Sequence, residues 1–112
     1  MTFGMSFEVE YFDNQLLDEI KAWPTDIYAD YLRLIELIAE HGPLLPMPHS
    51  RAMGDGLFEL RPRGRSGTGR ALYCFVVGRR VIVLHAFIKK TQKTPDREIK
   101  TARRRAKQVR NG

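Results

Sequence analysis

Between Arg70 and Ile88 the chain reads RALYCFVVGRRVIVLHAFI, two runs dense in Val, Ile, Tyr and Phe that are separated by Gly78-Arg79. Residues of this kind pack well on a pleated surface, and a glycine between two such runs supplies the positive φ of a two-residue type II′ turn. A β-hairpin in an antiparallel or mixed sheet is expected here. With that loop Val77 opposes Arg80, Phe75 opposes Ile82, Leu72 opposes His85 and Arg70 opposes Phe87. Alternation then places Arg70, His85 and Lys89 on an open face, and Ala71, Tyr73, Phe75, Ile82, Leu84 and Ala86 on the face packed under helices.

The flanking segments supply the rest of one α+β domain. Ser6 to Phe12 alternates Phe7, Val9 and Tyr11 with Glu8 and Glu10, the pattern of a strand with one wet face. From Asp13 the apolar period changes to that of a helix, with Asp13 as its cap and Pro24 as its end. A second helix is expected from Thr25, its cap, with Ile27, Tyr31, Leu34, Ile35 and Ile38 as its stripe and His41-Gly42-Pro43 as its stop. Pro43 to Gly56, with three prolines and two glycines, is expected to be a loop. Leu57 to Arg61 alternates as a strand, with Phe58 and Leu60 inward and Glu59 and Arg61 on the open face. A last helix begins at Thr94-Pro95-Asp96 and runs to about Val109 behind a thin stripe of Ile99, Ala102, Ala106 and Val109. The expected order is β-α-α-β-β-β-α, a small sheet covered on one face by the helix pair.

A chain of 112 residues supports one such domain, with a core from about residue 6 to 110. It lacks an apolar run long enough to span a bilayer, and its start lacks the pattern of a secretory signal, so a cytosolic protein with no membrane partner is expected. The single cysteine, Cys74, makes neither an internal disulfide nor a Cys-rich zinc site.

Charge divides the chain. Residues 1 to 50 carry two basic side chains against nine acidic ones, whereas residues 51 to 112 carry 17 against four. So basic a half is expected to face a polyanion, because each phosphate neutralised releases counterions. The open-face group Glu59, Arg61, Arg70, His85 and Lys89 suits cleavage of RNA by its own 2′-hydroxyl, which needs a base, cations for the phosphate and an acid for the leaving oxygen. Arg61, Arg70 and Lys89 are the candidate cations. Glu59, His85 or a lysine depressed by its neighbours is the candidate base. The reaction needs no metal or other cofactor, and the scattered histidines offer no ligand set for one. Arg63 and Arg65 flank a turn and, with Lys90, Lys93 and the helix residues Arg103, Arg104 and Arg105, are candidate RNA phosphate contacts.

Three stretches, GLFELRPRG, GRALYCFVVGRRVIVLHAFIKKTQKTP and the basic helix after them, resemble the phage-derived HigB-type toxins of the RelE/ParE superfamily across about residues 6 to 110. The resemblance implies the toxin of a type II toxin-antitoxin pair, a ribosome-dependent endoribonuclease that cuts mRNA. It implies a HigA-like helix-turn-helix antitoxin as partner, with oligomers formed only through that antitoxin. Arg61 and Arg70 match positions that contact the scissile phosphate in such relatives, and Lys89 and Lys90 match the basic pair that ends their last strand. Many RelE-type enzymes keep a Tyr or His near the C-terminus. This chain has neither after Phe87, which leaves His85 or Lys93 as candidate acid. ParE-type toxins share the fold and poison DNA gyrase, so a non-catalytic gyrase poison or basic nucleic-acid-binding phage protein stands as the alternative. The acidic helix pair, with Asp26, Asp30, Glu36 and Glu40, is the favoured seat of the antitoxin, and direct cover of the basic site is the alternative.

Overall fold

The computed structural model describes residues 6–45, 49–90 and 93–111. Its elements are β1 (Glu8–Tyr11), α1 (Asn14–Lys21), α2 (Thr25–His41), β2 (Ser50–Gly54), β3 (Leu57–Leu60), β4 (Arg63–Gly64), β5 (Gly67–Val76), β6 (Arg80–Lys89) and α3 (Asp96–Asn111), with a short 3-10 turn at Gly42–Leu44. The strands form a mixed sheet in the order β1-β6-β5-β3-β2, and β4 pairs with the start of β5. The pairing of β1 with β6 is parallel and the other pairings are antiparallel.

Local chemistry accounts for the helix boundaries. The Asp13 carboxylate accepts the Leu16 N–H at 2.8 Å and caps α1. The cap position of α2 is Pro24 rather than Thr25, and no side chain bonds there. Gly42 ends α2 at φ +58°, and a Cβ at that position would lie 2.4 Å from the Phe7 ring, so both conformation and space require glycine.

Three expectations need correction. A strand, β2, lies inside the segment read as a loop, and the two-residue β4 follows β3, so the order has two more strands than expected. The sheet is also covered on both faces. Leu16, Ile20, Tyr31, Leu34 and Ile38 of α1 and α2 pack on Leu60, Ala71, Tyr73, Val81 and Val83, while Ala102 and Ala106 of α3 pack on Leu57, Leu72, Cys74, Ile82 and Leu84. Thin as it is, the α3 stripe suffices because alanines let the helix axis approach the sheet closely.

The third correction concerns register. Val76 opposes Arg80, so the loop holds three residues, Val77, Gly78 and Arg79, with φ of +85° at Gly78 and +58° at Arg79. Phe75 accordingly meets Val81 rather than Ile82. Between Leu72 and Tyr73 the register shifts by one, because Leu84 is an extra residue on β6 with no partner in the ladder. Beyond this bulge Leu72 opposes His85 and Arg70 opposes Phe87, as expected. Ile82 and Leu84 thereby face α3 instead of the helix pair. The Leu84 carbonyl accepts an Arg105 guanidinium N–H at 2.8 Å, and the same guanidinium lies over the Phe12 ring at 4.5 Å. No helix among the described residues is long and apolar enough to cross a membrane.

Candidate nucleic-acid cleft

Four adjacent strands build the floor of one cleft. Arg51 on β2 opposes Glu59 on β3. Glu59 in turn opposes Leu72 on β5, which places Arg70, two residues earlier on the same face, diagonal to it. Lys89 on β6 opposes Thr68 and is diagonal to Arg70. Arg61 follows the end of β3. The cleft, about 310 Å³, is lined by these residues together with Met53, Lys93, Thr94 and Ile99. Five cations thus surround one carboxylate.

The carboxylate is the anchor. Glu59 is 2 % exposed and Arg70 3 %. The Thr94 hydroxyl donates to Glu59 Oε2, and Glu59 Oε1 lies 3.6 Å from Arg70 Nε and 3.8 Å from Arg61 Nε. Those separations give electrostatic attraction without a hydrogen bond. Both Nε atoms are buried and lack an acceptor among the described residues. A buried donor left unsatisfied costs about 1–3 kcal/mol, so the two guanidinium groups are held in the cleft floor at a cost to the fold. Burial lowers the Arg70 pKa from its ordinary value, with Arg61 and Arg63 adding to the effect and Glu59 opposing it. Lys89 is lowered as well, first by desolvation and then by Arg70 and Arg61.

The structure thus brings together Glu59, Arg61, Arg70, Lys89 and Lys93 of the residues expected at the site. Arg70 sits there as a buried residue rather than on an open face. His85 does not line the cleft, and its Nε2 is 2.9 Å from the Glu98 carboxylate on α3. Lys90 is exposed just past β6, and Thr91 and Gln92 of the KKTQKTP motif lie outside the described residues. Arg63 and Arg65 are exposed around β4. On α3, Arg103 donates to the Met53 and Gly54 carbonyls and Arg105 to Leu84, while Arg104 is exposed. Two of the three helix arginines therefore hold α3 in place. Asp26 and Asp30 are not a free acidic face either. They accept the N–H groups of Ser66 and Arg63 at 2.8 Å and clamp that turn to α2.

Sequence reasoning missed Arg51, Met53, Thr94 and Ile99. Arg51 and Met53 at alternate positions are a faint strand signal that the surrounding prolines and glycines mask. Thr94 reads as a helix cap, and only the fold brings its hydroxyl to Glu59.

The sequence model of a family described as phage-derived protein Gp49-like matches residues 18–107. No curated protein matches. Among solved structures, a chain of the archaeal RelE-RelB complex from Pyrococcus horikoshii OT3 superposes with a TM-score of 0.54 at 17% identity, covering 75% of this chain and 96% of that one. At such identity the likeness is one of fold.

Proposed function

The chain belongs to the phage-derived Gp49-like family, and from that premise we propose that it is the toxin of a toxin-antitoxin pair, an endoribonuclease that cuts mRNA on the ribosome without a metal. The observation that carries the reading is the cleft itself, where Arg51, Arg61, Arg70, Lys89 and Lys93 line one concavity with a single carboxylate among them, a surplus of positive charge that suits a phosphate. The RelE-like fold supports the same reading. A protein antitoxin is the corresponding partner, in keeping with the complex in which the structural neighbour is found, and the HigA-like helix-turn-helix type is proposed from the sequence resemblance alone.

In the proposed reaction the 2′-oxygen attacks the adjacent phosphorus, the new O2′–P bond forms and the P–O5′ bond breaks. Arg61 and Arg70 hold the non-bridging oxygens as charge builds on them. Lys89 gives a proton to O5′ as the P–O5′ bond breaks, since desolvation and two neighbouring cations make its ammonium a better acid than a free lysine, and the 2′-hydroxyl proton passes to solvent water, from which Lys89 is reprotonated. Glu59, tied to Thr94 and set between two guanidinium groups, holds the arginines in position.

The test is growth inhibition combined with mapping of mRNA 5′ ends after expression. Wild type is expected to yield discrete cuts at A-site codons. Arg61→Gln, folded by circular dichroism, is expected to lose roughly 10² to 10³ in cleavage rate. Intact mRNA with DNA damage would identify a gyrase poison and overturn the proposal.

A further inference from the structure

A second concavity adjoins the cleft. It encloses about 140 Å³ and is lined by Asp30, Arg33, Leu34, His49, Arg61 and Arg63. Arg61 lines both spaces. We propose that the two concavities are adjacent phosphate subsites for one single strand of RNA, with Arg61 shared between them and Arg63 specific to the second. This rests on the RNA-cleavage reading above and adds the path of the substrate.

Charge and rigidity carry the argument. The carboxylate in the second space is already committed. Asp30 Oδ1 accepts from Arg33 Nε at 2.9 Å and Oδ2 accepts the Arg63 backbone N–H at 2.8 Å. With Asp30 balanced by Arg33 and Glu59 shared between Arg61 and Arg70, the charge of Arg63 remains, among the described residues, to meet an anion. The turn that presents Arg63 is fixed at two points, through Asp30 and through Asp26, which accepts the Ser66 N–H at 2.8 Å. Those bonds use backbone N–H groups, so the Arg63 side chain plays no part in the clamp. A subsite fixed in this way binds without first ordering a loop.

Spacing agrees with a polynucleotide. Arg61 and Arg63, two residues apart in sequence, both line the second concavity, so successive phosphates of one strand can meet them in turn. Arg63 also contributes to the lowered pKa of Arg70, so its charge is felt in the first cleft.

The experiment measures binding of uridine 5′-monophosphate and of the non-cleavable 2′-O-methyl dinucleotide pUpU at several salt concentrations. It uses wild type, Arg63→Gln and Arg61→Gln, each checked for folding. Wild type is expected to hold pUpU about tenfold more tightly than the mononucleotide, a gain of about 1.4 kcal/mol. Arg63→Gln is expected to erase that gain and to lower the salt slope for pUpU by about 0.7, with mononucleotide affinity changed less than about twofold. Equal weakening of both ligands by Arg63→Gln, or of neither, overturns the two-subsite inference. If Arg61→Gln abolishes both while Arg63→Gln alters neither, the cleavage reading stands and this inference falls alone. If wild type binds neither ligand, both fall. Tighter binding of duplex DNA than of pUpU would also overturn it.

Discussion

Replacing Glu59 with Gln keeps the side-chain shape and removes the one negative charge among the cations of the cleft. The Thr94 hydroxyl can still donate to the amide oxygen, so the loss is electrostatic. Two guanidinium groups at 3.6 and 3.8 Å lose their counter-charge. Breaking a buried ion pair by removing one partner costs roughly 3–5 kcal/mol. Arg70 is as buried as that figure assumes, whereas the Arg61 side chain is 23% exposed and recovers part of its hydration. The expected destabilisation is about 3 kcal/mol, or a fall in Tm of about 12 °C for a domain of this size. Urea unfolding followed by circular dichroism measures it. A second arm separates loss of charge balance from loss of packing. Sulfate binding to the uncovered arginines stabilises only the folded state, by about 2.7 kcal/mol at a hundred times its dissociation constant. Added sulfate should therefore rescue the variant more than it raises wild type. A loss below about 1 kcal/mol, or equal stabilisation of both proteins by sulfate, would refute the view that Glu59 balances the two arginines.

Burial pushes the Tyr73 phenol up to about 12, against a smaller lowering by its hydrogen bond with Ser50. A raised folded-state pKa contributes stability that is whole below the unfolded value near 10 and is lost as pH rises toward 12. Urea midpoints should fall between pH 9 and 11, and less steeply in Tyr73→Phe. If the proposed ribosome binding holds, neutralising Arg103, Arg104 and Arg105 together should lower its salt slope by about 1, since only Arg104 is exposed among them, and should weaken the fold because two backbone anchors are lost. A slope change near 3 with unchanged stability would show that all three serve RNA.

Features set by neighbours in sequence were legible: the Asp13 cap, the Gly42 stop and the hairpin itself. The face assignments were legible only in part, for a mechanical reason. The three-residue loop shifts the pairing by one and the extra Leu84 shifts it back, so Arg70 and Leu72 meet the expected partners while Ile82 and Leu84 change sides. Nothing in the spacing of the two runs announces a bulge. The role of α3 was hidden by its many arginines, three of which bond to backbone carbonyls that only the folded chain presents. For the cleft, strand alternation found Glu59, Arg61 and Lys89. It found Arg70 too, but not its burial, which depends on α3 and on the order of strands.

The parallel pairing of β1 with β6 has a consequence in time. β1 is the earliest strand of the sheet to be synthesised, and the Glu10–Arg80 ion pair that helps seat it spans 70 residues. At roughly 5–20 residues per second, that span takes about 4 to 14 s to make. Until β6 exists, α1 and α2 have no complete sheet to cover, and Lys89, Thr94 and Ile99 are missing from the cleft. A growing chain therefore lacks a complete cleft while it is read. Under the proposed activity, the message that encodes a copy cannot be cut by that copy before β6 and α3 have been translated.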